Sequence, residues 1–213
     1  MLYNFVKQQK KSLHVLKKNM NSISFKATYI TNSTVRARNA KRKFTDMPVS
    51  VYKLNYRKES DYKTLIDVHE KWYKIYSESL TEEIYWDYVK NYKKLDNASY
   101  QHEFYVLTKQ NDKKQKLNTE DILGIIEYTH DKNKKYDYID FLQVNPEYMR
   151  KKRGRDIKHI GSALLDFIKN KKGFKNIYLD TVPNAVNFYL KNEFKMFGET
   201  MRMFFERSSY IPK

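Results

Sequence analysis

The stretch that decides the fold starts as Tyr138-Ile139-Asp140-Phe141-Leu142-Gln143-Val144-Asn145-Pro146-Glu147-Tyr148. It passes a basic loop holding Lys151, Lys152, Arg153, Arg155 and Lys158, and continues as His159-Ile160-Gly161-Ser162-Ala163-Leu164-Leu165. Residues 136–144 read as a strand ended by Asn145-Pro146. Ile160, Ala163, Leu164, Phe167 and Ile168 have the spacing of one helical face, which predicts a helix from about Ile160 to Lys172 with Gly173 at C′. A strand, a basic loop and a helix N-terminus form an anion site, because unpaired N–H groups and the helix dipole converge there. Gly161 lets backbone approach a ligand closely, so a polyphosphate fits.

Upstream, Val49, Val51, Leu54 and Tyr56 predict a first strand, and two aromatic-rich amphipathic segments follow near 61–77 and 82–94. Phe104–Thr108 and Ile122–Tyr128 read as strands joined by a polar loop over 109–121, and with Tyr136–Val144 they form an antiparallel meander. Downstream come a strand at Ile177–Val182, a short helix from Pro183-Asn184 to about Leu190 with Asn184 as N-cap, and a strand at Met201–Glu206. That order makes an α/β (α+β) domain, a mixed, mostly antiparallel central sheet flanked by helices.

The 213 residues suit one domain with a tail. No cysteine is present, which excludes disulfide scaffolds and thiol nucleophiles, and the five histidines lack metal-ligand spacing, so no metal site is expected. All five glycines (124, 154, 161, 173, 198) are isolated, so neither a dinucleotide-binding G-x-G-x-x-G nor a P-loop is present. The net charge of +17 is concentrated in residues 1–45, which hold eleven Lys or Arg and no Asp or Glu. Residues 1–47 therefore read as a basic, partly disordered N-terminal extension, and 48–213 as the folded domain. No apolar run reaches membrane-span length, so a soluble, cytoplasmic protein without a membrane partner is expected.

The strand, loop and helix quoted above resemble the acetyl-CoA site of the GNAT superfamily of N-acetyltransferases. A second family pattern follows in Asn184-Ala185-Val186-Asn187-Phe188-Tyr189-Leu190-Lys191-Asn192-Glu193-Phe194 and Phe197-Gly198-Glu199. Together these cover roughly a third of the chain in the family's order. Two departures stand out. Asp156 and His159 occupy the first and fourth positions of the phosphate-loop pattern, where the family has Arg or Gln and Gly, and Glu193 replaces the usual Gly before Phe194.

The resemblance implies that acetyl-CoA serves as cosubstrate and a primary amine of a small molecule, peptide or protein as acceptor, with direct attack through a tetrahedral intermediate. By the same likeness the pantetheine arm pairs with backbone at Leu142, Gln143 and Val144. Pyrophosphate meets the segment Arg155, Lys158, His159, Ile160, Gly161 and Ser162, Asn184 contacts the cofactor arm, and Tyr189 lies near the thioester sulfur. Acetyl transfer needs a neutral amine, a stabilised oxyanion and a proton for the thiolate. Tyr189 is the candidate acid, and the backbone N–H of Val144 or a neighbour the oxyanion donor. Glu127 and Asp140 are the candidate bases, with Glu127 preferred, and Tyr138 shares a strand face with Asp140 by period-two alternation. The rival reading is a catalytically impaired GNAT-fold protein that binds nucleic acid or the ribosome through residues 1–47.

Overall fold

The computed structural model describes residues 27–75, 100–110, 117–131, 133–134, 136–149, 156–171 and 176–206. The expected segment 82–94, loop residues 151–155 with Arg155, and Gly173 lie outside the described residues. The elements are β1 (Thr28–Arg38), β2 (Phe44–Leu54), α1 (Glu59–Ile75), β3 (Tyr100–Thr108), β4 (Ile122–Asp131) and β5 (Tyr136–Val144). They continue as β6 (Ile157–Lys158), α2 (Ile160–Asn170), β7 (Asn176–Asp180), α3 (Val186–Lys191), β8 (Lys195–Met196) and β9 (Arg202–Phe205). The nine strands found among the described residues join one sheet in the order β6-β1-β2-β3-β4-β5-β7-β9-β8. Every pairing is antiparallel except β5 with β7. The mixed, mostly antiparallel sheet expected from the sequence is present.

Because each strand alternates, both faces of the sheet carry apolar side chains that helices cover. On one face α2 buries Ile160, Ala163, Leu164, Leu165 and Ile168 against Val51, Tyr105, Leu107, Leu123, Ile126, Tyr128 and Ile139. On the other, α1 buries Leu65, Val68 and Trp72 among Tyr52, Leu54, Phe104, Val106, Ile122 and Ile125. Gly124 sets how closely α2 approaches: a Cβ there would lie 2.9 Å from Ile160 Cγ2, 3.0 Å from Leu164 Cδ1 and 3.2 Å from the Gln143 carbonyl oxygen. Gly124→Ala is therefore expected to destabilise the fold by about 1–3 kcal/mol through overpacking. Urea unfolding should show the midpoint falling at an unchanged slope.

Two expectations need correction. The sheet takes in residues 28–47, because β1 pairs with β2 from Thr28↔Lys53 to Arg38↔Phe44, so this part of the expected extension is ordered strand. Val35 is its one fully buried side chain, packed under α2, and its other face is polar and exposed. Asn184 is not a helix cap: it sits inside a 3-10 turn, Pro183–Ala185, and α3 starts at Val186 with Ala185 as N-cap and no side-chain cap.

Candidate active site

β5 and β7 pair only over Tyr136↔Asn176 to Tyr138↔Tyr178 and then part. Tyr138 donates a hydrogen bond across the fork to Asp180, which also accepts from Arg202 at 2.9 and 3.1 Å, fastening the strands where they diverge. Beyond that point β5 keeps β4 as its neighbour, and among the described residues no strand pairs with it on the β7 side. The Asn145 N–H donates to Leu123 O on the β4 side at 2.8 Å. Strand alternation therefore turns the N–H and C=O groups of Leu142 and Val144 toward the open edge. Gln143 is buried and directs its carbonyl toward β4, 3.2 Å from the position a Cβ on Gly124 would take.

Past the end of β5, Asn145 holds the turn: its side chain donates to Ile122 O at 3.1 Å and accepts from Glu147 N–H at 3.0 Å. α2 begins at Ile160 with His159 as N-cap, no side-chain capping bond, and a first helical bond from Ala163 N–H to His159 O. The N–H groups of Ile160, Gly161 and Ser162 thus have no partner within the helix, although Ile160 and Gly161 are buried. Buried, uncapped donors at a helix N-terminus suit an anion. His159 has φ +65° and Glu193 φ +69°, so both non-glycine residues adopt the left-handed backbone that the family's glycines take freely. The left-handed conformation costs each of them about 1–2 kcal/mol. A side chain at Gly161 would strike the Phe188 ring, 2.8 Å from its Cζ, so this glycine serves the contact of α2 with α3. Lys158 and His159 are exposed beside the site, and Ser162 is half-buried.

On the α1 face, Glu127, Asp140 and His102 come together from three adjacent strands. An irregularity in the β4–β5 ladder pairs Glu127 with Phe141 and Tyr128 with Ile139, leaving Asp140 as the extra residue. That bulge lets Asp140 and Phe141 share the Glu127 face, a common device for re-aiming a side chain. Glu127 is fully buried, 3.0 Å from His102 Nδ1. The Thr129 hydroxyl donates to Asp140 and lies 2.7 Å from the same His102 nitrogen. Since the Glu127 carboxylate only accepts and Thr129 already donates to Asp140, the Nδ1 proton belongs on His102. Loss of hydration among the surrounding atoms, then the Glu127 charge, pushes Asp140 up to about 7, against the lowering effects of Thr129 and His102. Asp140 itself stays exposed at the mouth of the cluster, where solvent moderates the shift without reversing it.

His102 escaped the sequence reading because its partners are 25 and 38 residues away and only the register of β3, β4 and β5 unites them. Ligand atoms of His102, Glu127 and Asp140 lie within 4.8 Å of one another and form a set that can hold a divalent ion.

Tyr189 is nearly buried, edge-on to Phe188 at 5.0 Å and Phe194 at 5.7 Å between ring centroids. Burial pushes its phenol up to about 12. Asn184 is exposed on its turn. A separate depression beside Lys169 and Glu193, at the far end of α2, takes no part in this arrangement.

Residues 65–194, more than half of the chain, match the sequence profile described as the acetyltransferase (GNAT) family. The chain belongs to that family. This GNAT chain is similar in fold to the crystal structure of Tetrahymena GCN5, with 16% identity over 72% of this chain and 92% of that one and a TM-score of 0.47. It is also similar to the PaiA N-acetyltransferase of Thermoplasma acidophilum, solved with coenzyme A, with 22% identity over 76% and 100% of the two chains and a TM-score of 0.46. The AtaTR structure bound with acetyl-CoA matches with 14% identity over 55% and 71% of the chains and a TM-score of 0.36. Comparison with curated protein sequences gave no match. Among the described residues of this GNAT domain, no helix is long and apolar enough to cross a membrane.

Proposed function

We propose that this GNAT chain transfers an acetyl group from acetyl-CoA to a primary amine. The observation that carries the reading is the fork between β5 and β7, which turns the backbone of Leu142 and Val144 outward between the Asp140 cluster and the uncapped N-terminus of α2. The residues fit the cosubstrate: Ile160, Gly161 and Ser162 N–H groups suit pyrophosphate, with Lys158 beside them, and an open strand edge suits an amide-bearing arm. Asn184, exposed across the fork, is a further contact for that arm. Acetyl-CoA, when bound, supplies the acetyl group as an activated thioester.

Asp140 takes the proton of the attacking amine. Its exposure at the mouth and its affinity for protons near neutral pH suit a general base better than the buried Glu127, reversing the preference drawn from sequence. Glu127 acts on Asp140 through its charge, and His102 holds Glu127 and Thr129 in place. The Leu142 N–H, about 7 Å along β5 from Asp140, donates to the developing oxyanion, and the Val144 N–H pairs with the arm nearer the phosphate end.

Tyr189 donates a hydrogen bond to the departing sulfur. With a phenol at about 12 it stays protonated, yet it is a weaker acid than a thiol of about 8.5, so it stabilises the thiolate without fully surrendering its proton. Tyr189→Phe is expected to lower kcat by about 10- to 100-fold, with the KM for acetyl-CoA nearly unchanged. The Tyr189 hydroxyl makes no hydrogen bond to a described residue, so thermal unfolding should show stability kept or slightly raised. A loss of stability that parallels the loss of activity would reduce Tyr189 to a core residue. The reaction is tested by following acetyl-CoA-dependent thiol release with aliphatic diamines, lysine peptides and free peptide N-termini. No acceptor-dependent release from any of the three classes would refute it.

A further inference from the structure

The face of the β1–β2 arm that points away from α2 carries a concentration of positive charge unrelated to the fork. Val35 and Ala37 face the α2 core, so alternation puts Arg36 and Arg38 on the opposite face. Register adds Phe44, paired with Arg38, and Lys158, paired with Arg36. The turn joining the strands contributes Lys41, Arg42 and Lys43, all exposed. Two acids stand nearby: Asp46, which pairs with Arg36 at 3.3 Å, and Asp156, which forms no ion pair with a described residue. Among the described residues Arg38, Lys41, Arg42, Lys43 and Lys158 meet no carboxylate.

Two of these cations are held by an aromatic ring. Lys158 Nζ lies 4.0 Å from the centroid of Phe44, and the Arg38 guanidinium carbon 5.2 Å from it. A cation–π contact orders a long side chain without neutralising its charge, whereas a salt bridge would cancel it. The backbone is fastened too, since Arg38 N–H donates to Asp156 O at 2.8 Å and ties the arm to the segment entering α2.

We propose that this arm binds the phosphate backbone of a nucleic-acid strand. Arg38, Lys41, Arg42, Lys43 and Lys158, none of them ion-paired with a described residue, offer five exposed cations to the phosphates of one strand. A bilayer surface fits less well, because Phe44, the aromatic side chain among these cations, is engaged by Arg38 and Lys158 and offers nothing to insert. The site thus lies on ordered strand; it shares Lys158 with the segment entering α2, whereas Arg38, Lys41, Arg42 and Lys43 have no part in the acetyl-transfer reading.

The test is fluorescence anisotropy of a labelled 20-nucleotide single-stranded RNA with the full chain and with the double variant Arg38→Glu, Lys43→Glu. Both positions are exposed, and a thermal melt checks that the variant folds; Lys41→Glu, Lys43→Glu is the second variant. With five to six phosphate contacts, raising salt from 50 to 200 mM should weaken wild-type binding on the order of 100-fold. Each double variant should bind at least tenfold more weakly, with a shallower salt dependence and unchanged acetyl-CoA affinity. No RNA binding at 50 mM salt, or variants that bind like wild type, would overturn the proposal. So would a tenfold loss of acetyl-CoA affinity in the variants, which would assign the arm to the cosubstrate.

Discussion

Asp140→Asn is expected to lower acetyl-transfer turnover at pH 7.5 by about 100- to 10,000-fold, the range that loss of a general base covers. The amide matches the carboxylate in shape and can still accept from Thr129, so the loss isolates proton transfer. In the wild type kcat/KM should rise through one ionisation near pH 7, because Asp140 is pushed up to about 7 and works only when ionised. Stability should move the other way. A carboxyl whose folded pKa lies above its ordinary 3.8 favours the folded state while protonated, and that contribution is lost as pH rises from about 4 through 7. The variant lacks this loss, so its melting temperature should gain on the wild type between pH 5 and pH 8. Turnover within threefold of wild type would remove Asp140 from the chemistry.

The element order and the two family patterns were legible because they rest on local signals: the periodicity of Ile160 to Ile168, the break at Asn145-Pro146, and the segment from Asn184 to Phe194. β1 was not legible. A strand near the sheet margin whose outer face is Asn32, Thr34, Arg36 and Arg38, and whose fully buried side chain is Val35 alone, gives almost no apolar alternation. The same composition that suggested a solvated tail supplies its basic face.

The site was half legible. Glu127 and Asp140 were expected to border one cleft, and the sheet does bring them together. Their unequal environments depend on a bulge and on the β3–β4 register, neither of which has a marker in the residues themselves. The same register hid His102. At positions 159 and 193 the residue type suggested altered turns, while the surrounding structure holds both in the conformation a glycine would adopt. Asn184, read as a cap, lost that role because Pro183 opens a 3-10 turn before α3.

Ser162→Glu should separate cosubstrate binding from folding. Ser162 is the third residue of α2, where a carboxylate favours the helix dipole by about 0.3–1 kcal/mol. The same negative charge would stand where the uncapped N–H groups of Ile160 and Gly161 are proposed to meet pyrophosphate. The fold should therefore hold or gain while affinity falls about 100-fold, close to 2.8 kcal/mol. The most direct measurement is calorimetric titration of acetyl-CoA into the wild type and Ser162→Glu, with a melting curve for each. The account predicts one-site binding by the wild type, its near-abolition in the variant, and a melting temperature equal or higher. Equal affinity in both proteins, or no binding by the folded wild type at millimolar acetyl-CoA, would contradict it.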